Sequence, residues 1–196
     1  MNSAKYHVQT INYKNYTVRV VDPALQLHNC SSLPLHSLSR SNFSDTYYNP
    51  YYTDTYQAVL NAYDNEESLT LIFEHIVFVN CKHSVRENVK YVKTEERVKW
   101  DSKGYAYAVG GDLKAADLEV GCDIKLVALT SLRTFNNHSY TSMHSSLAYG
   151  FEISWVKLAC QNCLLSSTYC YFDSSIQELQ YCNLDEWILK QVSHTN

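Results

Sequence analysis

Seven cysteines are the residues of this sequence with the most chemistry to offer. They are Cys30, Cys81, Cys122, Cys160, Cys163, Cys170 and Cys182. In a secreted protein such cysteines form disulfides, whereas in the cytosol they bind metals or carry redox chemistry. Because the number is odd, at least one thiol must be free or paired with another chain.

The last four cysteines are compatible with two kinds of site. The motif Cys160-x-x-Cys163, with Cys170 and Cys182 after it, has a spacing that structural zinc sites use. We favour a disulfide cluster over zinc. Residues i and i+3 of an extended segment lie about 10 Å apart, too far for a disulfide between the two. Cys160 and Cys163 are therefore expected to pair outward, with Cys170 and Cys182 in an order that the spacing leaves open.

No other side chains form a recognisable catalytic or metal-binding pattern. The histidines lack the His-x-x-x-His and His-Glu-x-x-His spacings of metal sites, and we expect them to be solvated. They include His28, His36, His83, His138 and His144. The sequence shows no nucleophile elbow, catalytic triad or kinase motif. We therefore predict a non-enzymatic chain without a metal or a cofactor.

Residues 82–103 carry a concentration of positive charge. The segment has seven basic and four acidic side chains, although the whole chain has a net charge of −4. Such a stripe suits a polyanion, and an ordinary solvated loop is the alternative. The candidate ligand-binding residues are Lys82, Arg86, Lys90, Lys93, Arg97 and Lys99. The overall charge gives no indication of nucleic-acid binding.

The elements that must position these residues are predicted to be mainly β-strands. Seventeen tyrosines against five glycines favour strands and recognition surfaces. Alternation predicts a hairpin within residues 5–21 with its turn at 12–15, and apolar runs predict strands at 69–80, 104–110, 122–129 and 149–157. Short helices are expected at 112–119, capped by Asp112, and at 184–192. Residues 22–56 form a long loop region, whose tyrosines at 47–56 either stack on sugars or pack on the sheet.

Four Asn-x-Ser/Thr sequons give mild support for secretion. They are Asn15, Asn29, Asn42 and Asn137. The sequence contains no apolar signal region and no run of 18 apolar residues. We therefore expect a piece of a longer secreted precursor, associated with a membrane only through a segment that this chain lacks.

Several stretches, in order, resemble the ectodomain of plant wall-associated and leaf-rust-resistance-type receptor kinases. The segments 6–23, 29–34, 41–44, 77–81 and 91–94 are similar to the second half of its galacturonan-binding domain. The later stretches Asp112-Leu, Ala116-Asp-Leu, Cys122, 147–155, Cys160-x-x-Cys163 and Cys170 are similar to its C-terminal associated domain. A cysteine of the family pattern is missing after Thr94, where Glu95-Glu-Arg stands. The closing Cys-x-Cys pair is reduced to Cys182.

The resemblance implies a mainly β, disulfide-stapled ectodomain with two lobes, residues 1–94 and 95–196. It implies an extracellular module that binds pectin, galacturonan or another extracellular ligand, with any kinase activity in an absent domain. We expect Cys30 to pair with Cys81. Cys122 is then the unpaired residue, because its partner in the family pattern is missing. The alternatives are an intracellular zinc- or thiol-dependent protein and a decayed paralogue without a ligand.

Overall fold

The computed structural model describes residues 5–43, 73–96, 98, 100–101, 103–111, 113–132, 139–159, 168–173, 176 and 178–183. Within these ranges the chain forms nine β-strands, two α-helices and two 3-10 turns, at Arg40–Asn42 and Ala115–Asp117. The strands are β1 His7–Asn12, β2 Thr17–Val21, β3 Glu74–Cys81, β4 Val92–Lys93, β5 Tyr105–Gly110, β6 Cys122–Thr130, β7 Phe151–Ser154, β8 Thr168–Asp173 and β9 Glu178–Asn183. The helices are α1 Tyr140–Tyr149 and α2 Val156–Ala159. The predicted mainly β class is confirmed.

A four-stranded antiparallel sheet in the order β4-β5-β3-β6 contains most of the described core. Its central strand, β3, buries every residue from Ile76 to Cys81. Both faces of β3 are therefore covered, which explains why its sequence is a continuous apolar run rather than an alternating one. This strand was predicted from that run.

The two faces of this sheet are covered by different structures. On one face, which we call the helix face, Ile76 and Phe78 pack with Tyr140, Met143 and Leu147 of α1. On the other, the loop face, Val77 and Val79 pack with side chains from two loops that span residues 82–91 and 113–121. Successive residues of a strand point to opposite faces, so alternate residues of β3 supply the two cores.

Helix α1 begins and ends at residues with clear capping geometry. The Ser139 hydroxyl accepts a hydrogen bond from the backbone N–H of Ser142. Gly150 follows the helix with φ 93°, and its N–H donates to the Leu147 carbonyl. A side chain at position 150 would also collide with the Val20 carbonyl oxygen, so glycine is required there on two grounds.

A second sheet has the strand order β1-β2-β7. Strands β1 and β2 form the hairpin that the alternation of residues 5–21 predicts. Its turn is fixed by Asn12, whose side-chain oxygen accepts hydrogen bonds of 3.0 Å from the N–H groups of Lys14 and Asn15. A third sheet pairs β8 with β9.

The described chain divides into two compact units that do not match the predicted lobes. One contains the described residues of 5–10, 19–42 and 73–152, and the other contains those of 11–18, 43 and 153–183. The predicted boundary at residue 94 falls between β4 and β5, which are neighbours in one sheet. In the second unit Val156 packs with Tyr16 and Leu179, and the Trp155 N–H donates to the Tyr16 carbonyl at 2.8 Å.

Two predicted elements differ from the structure. Only residues 151–154 of the strand predicted at 149–157 are extended, because α1 ends at Tyr149 and α2 begins at Val156. The helix predicted at 112–119 is a single 3-10 turn, and the residue before it is Lys114. Asp112, the tyrosines at 47–56 and the helix predicted at 184–192 lie outside the described residues. Among the described helices, none is long and apolar enough to cross a membrane.

Candidate ligand-binding surface

The first four residues of the predicted basic stripe lie in or beside one loop. Lys82, Arg86 and Lys90 belong to the loop 82–91, which leads from β3 to β4, and Lys93 is on β4 itself. All four are exposed. Arg97 and Lys99 lie outside the described residues. The loop is held on the sheet by Val85 and Tyr91, which pack into the core of the loop face.

A second loop, residues 113–121, lies against the first. Its Leu113 and Leu118 pack into the same core. The side chain of Asn88 donates a hydrogen bond to Glu119 at 2.8 Å, and the Lys90 ammonium donates to Asp117 at 2.8 Å. Polar side chains therefore join the two loops above an apolar layer.

Two buried tyrosines fix these loops from beneath. The Tyr91 hydroxyl donates to the Asp117 carbonyl and accepts from the Glu119 N–H, both at 2.9 Å. The Tyr107 hydroxyl accepts from the Val85 N–H at 3.0 Å. The two rings meet edge to face with their centroids 5.8 Å apart. Each tyrosine thus places its ring in the core and its hydroxyl on a loop backbone, as an aromatic residue with a polar tip can.

A disulfide between Cys81 and Cys122 closes the base of the loop pair. The two residues are directly opposite each other on β3 and β6, with Cα atoms 3.9 Å apart. They form a non-hydrogen-bonded pair, the closer of the two antiparallel pairings, because the ladder bond lies one residue further on, from Lys82 N–H to Gly121 O.

This disulfide corrects two predictions about the cysteines. The predicted Cys30–Cys81 pair is wrong, and so is the prediction that Cys122 is unpaired. The reason is strand register, which places Cys122 beside Cys81. Cys30 is a half-buried thiol in the loop that covers the helix face.

The C-terminal cysteines are described only in part. Cys160 and Cys163 lie outside the described residues. The backbone register of β8 and β9 places Cys170 opposite Tyr181 and Cys182 opposite Tyr169, so these two cysteines are not a directly opposed pair. Their pairing with Cys160 and Cys163 stays a prediction. Among described residues, no three His, Cys, Asp or Glu side chains are grouped as a metal site would require.

The electrostatics of the loop pair separate its basic residues into two kinds. The ion pair with Asp117 neutralises Lys90. The Lys90 hydrogen bond, followed by one from the Lys114 backbone, lowers the pKa of the Asp117 carboxyl below its usual value. Lys82, Arg86 and Lys93 are exposed and have no ion pair within the described part of the chain. Among the described residues of the predicted stripe, these three cations are therefore available to an anionic ligand, and the exposed Lys114 of the second loop lies beside them in the same loop pair.

The helix face contains a serine–histidine contact that sequence reasoning missed. His144, expected to be solvated, is fully buried on α1. Its Nε2 lies 3.0 Å from the Ser32 hydroxyl and 3.1 Å from the Ser32 carbonyl. The carbonyl can only accept, so Nε2 carries the hydrogen. Burial lowers the pKa of His144 below its ordinary value.

This contact lacks the geometry of a nucleophilic dyad. Nδ1 of His144 is buried without a partner among the described residues, so none of their carboxylates orients the ring. The Ser32 hydroxyl lies 2.8 Å from the Asn29 carbonyl, and it accepts the Gln26 N–H at 2.9 Å. The pair holds the 26–32 loop on α1 and has a structural role.

A small cavity beside β2 is too small for an organic ligand. Apolar side chains line it together with Tyr6, Asp22 and His36, and its volume of about 20 Å³ has room for one water. Asp22 already accepts from the N–H groups of Ala24 and Leu35. Burial and then the Asp22 charge raise the pKa of Tyr6 to about 12.

The described sequons are accessible to different degrees. Asn29 and Asn42 are exposed, whereas Asn15 is half-buried in the turn between β1 and β2. Asn137 lies outside the described residues. Glycosylation at these positions stays a prediction.

Comparisons with known proteins identify no relative of this chain. No family model, curated protein or solved structure matches it.

Proposed function

We propose that this chain is a non-catalytic extracellular recognition module that binds an anionic cell-wall polysaccharide of the galacturonan type. The observation that carries this proposal is the pair of loops 82–91 and 113–121. A disulfide, buried tyrosine hydroxyls and side-chain hydrogen bonds join these loops, while Lys82 and Arg86 stay exposed. A surface fixed before binding loses little conformational entropy when a ligand arrives.

The chemistry of galacturonan suits such a surface. Each sugar unit carries one carboxylate, so the polymer presents a row of negative charges to Lys82, Arg86 and Lys93. An exposed charge contact contributes only about 0.2–1 kcal/mol, and we therefore expect weak, salt-sensitive binding. The Debye length at physiological salt is about 8 Å, so these cations act locally despite the net negative charge of the chain.

An oxidising compartment is part of the proposal. The Cys81–Cys122 disulfide supports it, because such bonds persist outside the cytosol. Protein from a secretory host should carry this bond, and folded soluble protein with seven free thiols would contradict the extracellular assignment. Stoichiometric zinc in that sample would favour the intracellular alternative.

Calorimetry with de-esterified oligogalacturonide tests the ligand. The double variant Lys82→Glu/Arg86→Glu should lose binding, whereas Lys5→Glu/Lys14→Glu should retain it. Both variants change the net charge equally, and all four lysine and arginine positions are exposed. Wild-type binding should weaken as salt rises, and methyl-esterified pectin should bind less well. Equal losses in the two variants would show that overall charge, rather than the loop surface, determines binding.

A further inference from the structure

The outer edge of β6 has an open stretch and a closed stretch. β6 is the last strand in the sheet order β4-β5-β3-β6, so only one of its sides pairs with a neighbour, β3. At Val127 the other side is closed, because the Val127 carbonyl accepts the Leu38 N–H at 2.8 Å and the Val127 N–H donates to the Ser37 hydroxyl at 3.1 Å. The Cys122 N–H is also taken, because it donates to the Glu119 carbonyl at 3.0 Å. Residues 123–125 have no such cover among the described residues, and we call them the open edge.

The backbone groups of Ile124 face this open side. Lys82 N–H bonds to Gly121 O, and antiparallel ladder bonds alternate along a strand. Asp123 therefore bonds toward β3 through its partner Asn80, whereas Ile124, opposite Val79, directs its N–H and C=O outward. An unpaired outward N–H and C=O on an edge strand form a template for another strand.

The side chains around Ile124 restrict which strand can pair there. Ile124 is an apolar side chain that is 51% exposed. Asp123 and Lys125 on either side of it are both exposed. Charged residues commonly protect an edge from pairing, but here the two signs lie symmetrically about an apolar residue.

We propose that the open edge pairs with the same edge of a second copy of this chain, antiparallel, with a two-fold axis at Ile124. In this register the two Ile124 residues exchange both backbone hydrogen bonds. Each Asp123 lies opposite the other copy's Lys125, and opposite charges directly across an antiparallel pair are stabilising. The contact is isologous, since one patch meets itself.

In the neighbouring registers, like charges lie opposite each other. Moving the two strands by one hydrogen-bonding step in one direction places Asp123 opposite Asp123, and in the other direction places Lys125 opposite Lys125. Like charges directly opposite are destabilising. The Ile124-centred register therefore satisfies the backbone groups and the charges together.

The dimer should be weak. Lys125 is the extra residue of a β-bulge, because Val79 pairs with Ile124 and Phe78 with Leu126. The segment at Ser37 and Leu38 blocks further pairing at Val127. The contact is therefore short, well below the roughly 1,200 Å² of a stable interface. We expect a reversible dimer with a Kd above about 10 μM.

Sedimentation equilibrium of the disulfide-containing chain between about 10 μM and 1 mM tests the proposal, and the wild type should dimerise over this range. Ile124→Pro removes the outward N–H without removing a ladder bond to β3, and edge strands tolerate proline at such positions. This variant should stay monomeric with a native circular dichroism spectrum. A wild type that is monomeric at 1 mM would overturn the proposal.

A charge exchange tests the register and does not depend on proline. Asp123→Lys places like charges opposite each other twice and should raise the dimer Kd at least tenfold, a change of about the size expected for two altered cross-strand pairs. Adding Lys125→Asp exchanges the two signs and should restore the wild-type Kd. The exposed control Lys14→Asp should leave the Kd unchanged. The Ile124-centred pairing would be overturned if Asp123→Lys left the dimer Kd unchanged. It would also be overturned if the added Lys125→Asp did not restore the wild-type Kd.

Discussion

The helix face and the loop face belong to the same sheet, yet they are held by different forces. On the helix face, α1 buries Met143 and Leu147 over Ile76 and Phe78. On the loop face, the covering segments have little regular structure, and a disulfide and tyrosine hydroxyls hold them to the sheet. A helix satisfies its own backbone groups, whereas a loop depends on outside partners.

We infer from this difference that the helix face mainly determines stability, whereas the loop face is suited to the proposed recognition of a ligand. In a helix packed by apolar burial, most of the stabilising side-chain contacts are made with the core. Loops fixed by a few specific bonds can leave residues such as Lys82, Arg86 and Val89 exposed in defined positions. We therefore expect core changes on the helix face to act on stability, and polar changes on the loop face to act on local order and ligand binding.

The largest effect is expected from Phe78→Ala on the helix face. Phe78 is fully buried against Trp100 and Tyr140, so the variant should lose about 3–5 kcal/mol of unfolding free energy. Urea denaturation measures this loss. Val89→Ala, at a position that is 79% exposed, should stay within about 0.5 kcal/mol. A similar loss in both variants would mean that the helix face is not the main core.

The second-largest effect is expected from removal of the disulfide, which should destabilise the loop face. The bond closes a segment with a sequence separation of 41 residues, and Cys81→Ala/Cys122→Ala should lower the unfolding free energy by about 2–4 kcal/mol. Amide exchange should accelerate in loops 82–91 and 113–121 more than in α1. Cys30→Ala provides the control for a thiol without a disulfide. If its effect equals that of the double variant, the loss does not come from the crosslink.

Acid should affect the helix face selectively through His144. Because burial lowers the pKa of His144 in the fold, the unfolded chain binds a proton at higher pH than the folded chain does. The His144-dependent part of the unfolding free energy is therefore fully present above about pH 6.5. It falls as the pH drops toward the folded pKa, by at most about 1.4 kcal/mol per pH unit for one proton.

Thermal unfolding between pH 5 and 8 measures this dependence. His144→Asn should flatten the curve relative to the wild type, although it lowers stability at neutral pH. His83→Asn, at an exposed loop position, is the control and should keep the wild-type slope. An unchanged slope in His144→Asn would assign the dependence to other groups.

The tyrosine hydroxyls should have smaller effects that increase with the number of bonds they make. Tyr91→Phe removes two hydrogen bonds and Tyr107→Phe removes one, each bond contributing about 0.5–1.5 kcal/mol. Tyr140→Phe, which loses one bond to the Cys30 carbonyl, is the matched variant on the helix face. Amide hydrogen exchange should accelerate near residues 117–119 in Tyr91→Phe and near residue 30 in Tyr140→Phe. The same acceleration at all amides in every variant would show that the hydroxyls do not hold particular loops.

The smallest effect concerns the ion pair between the two loops. Lys90→Ala should raise the pKa of Asp117 toward its ordinary value of 3.8, because the largest cause of the lowering is the Lys90 hydrogen bond. Carbon-detected NMR titration of the carboxyl measures the shift. Lys93→Ala should leave this pKa unchanged, and an equal shift in both variants would indicate a general field rather than this bond.

Sequence reasoning succeeded where one short segment determines the structure. The apolar runs at β3, β5 and β6 and the alternation at β1 and β2 identify strands, because burial of apolar side chains follows their period along the chain. It missed α1, whose segment Tyr140–Tyr149 is rich in serine and has little apolar periodicity. Ser139 and Gly150 at its two ends are capping signals that could have identified it.

Part of the candidate surface was likewise present in the sequence. The exposed cations of loop 82–91 are local features of composition, and their exposure was implied by their charge. The tertiary structure decided the cysteine pair, because the register of β3 against β6 brings Cys122 to Cys81 from 41 residues away. It also decided that Lys90 is neutralised by Asp117 and that His144 is buried. A single sequence records which residues are present, but long-range strand pairing and packing determine which of them meet.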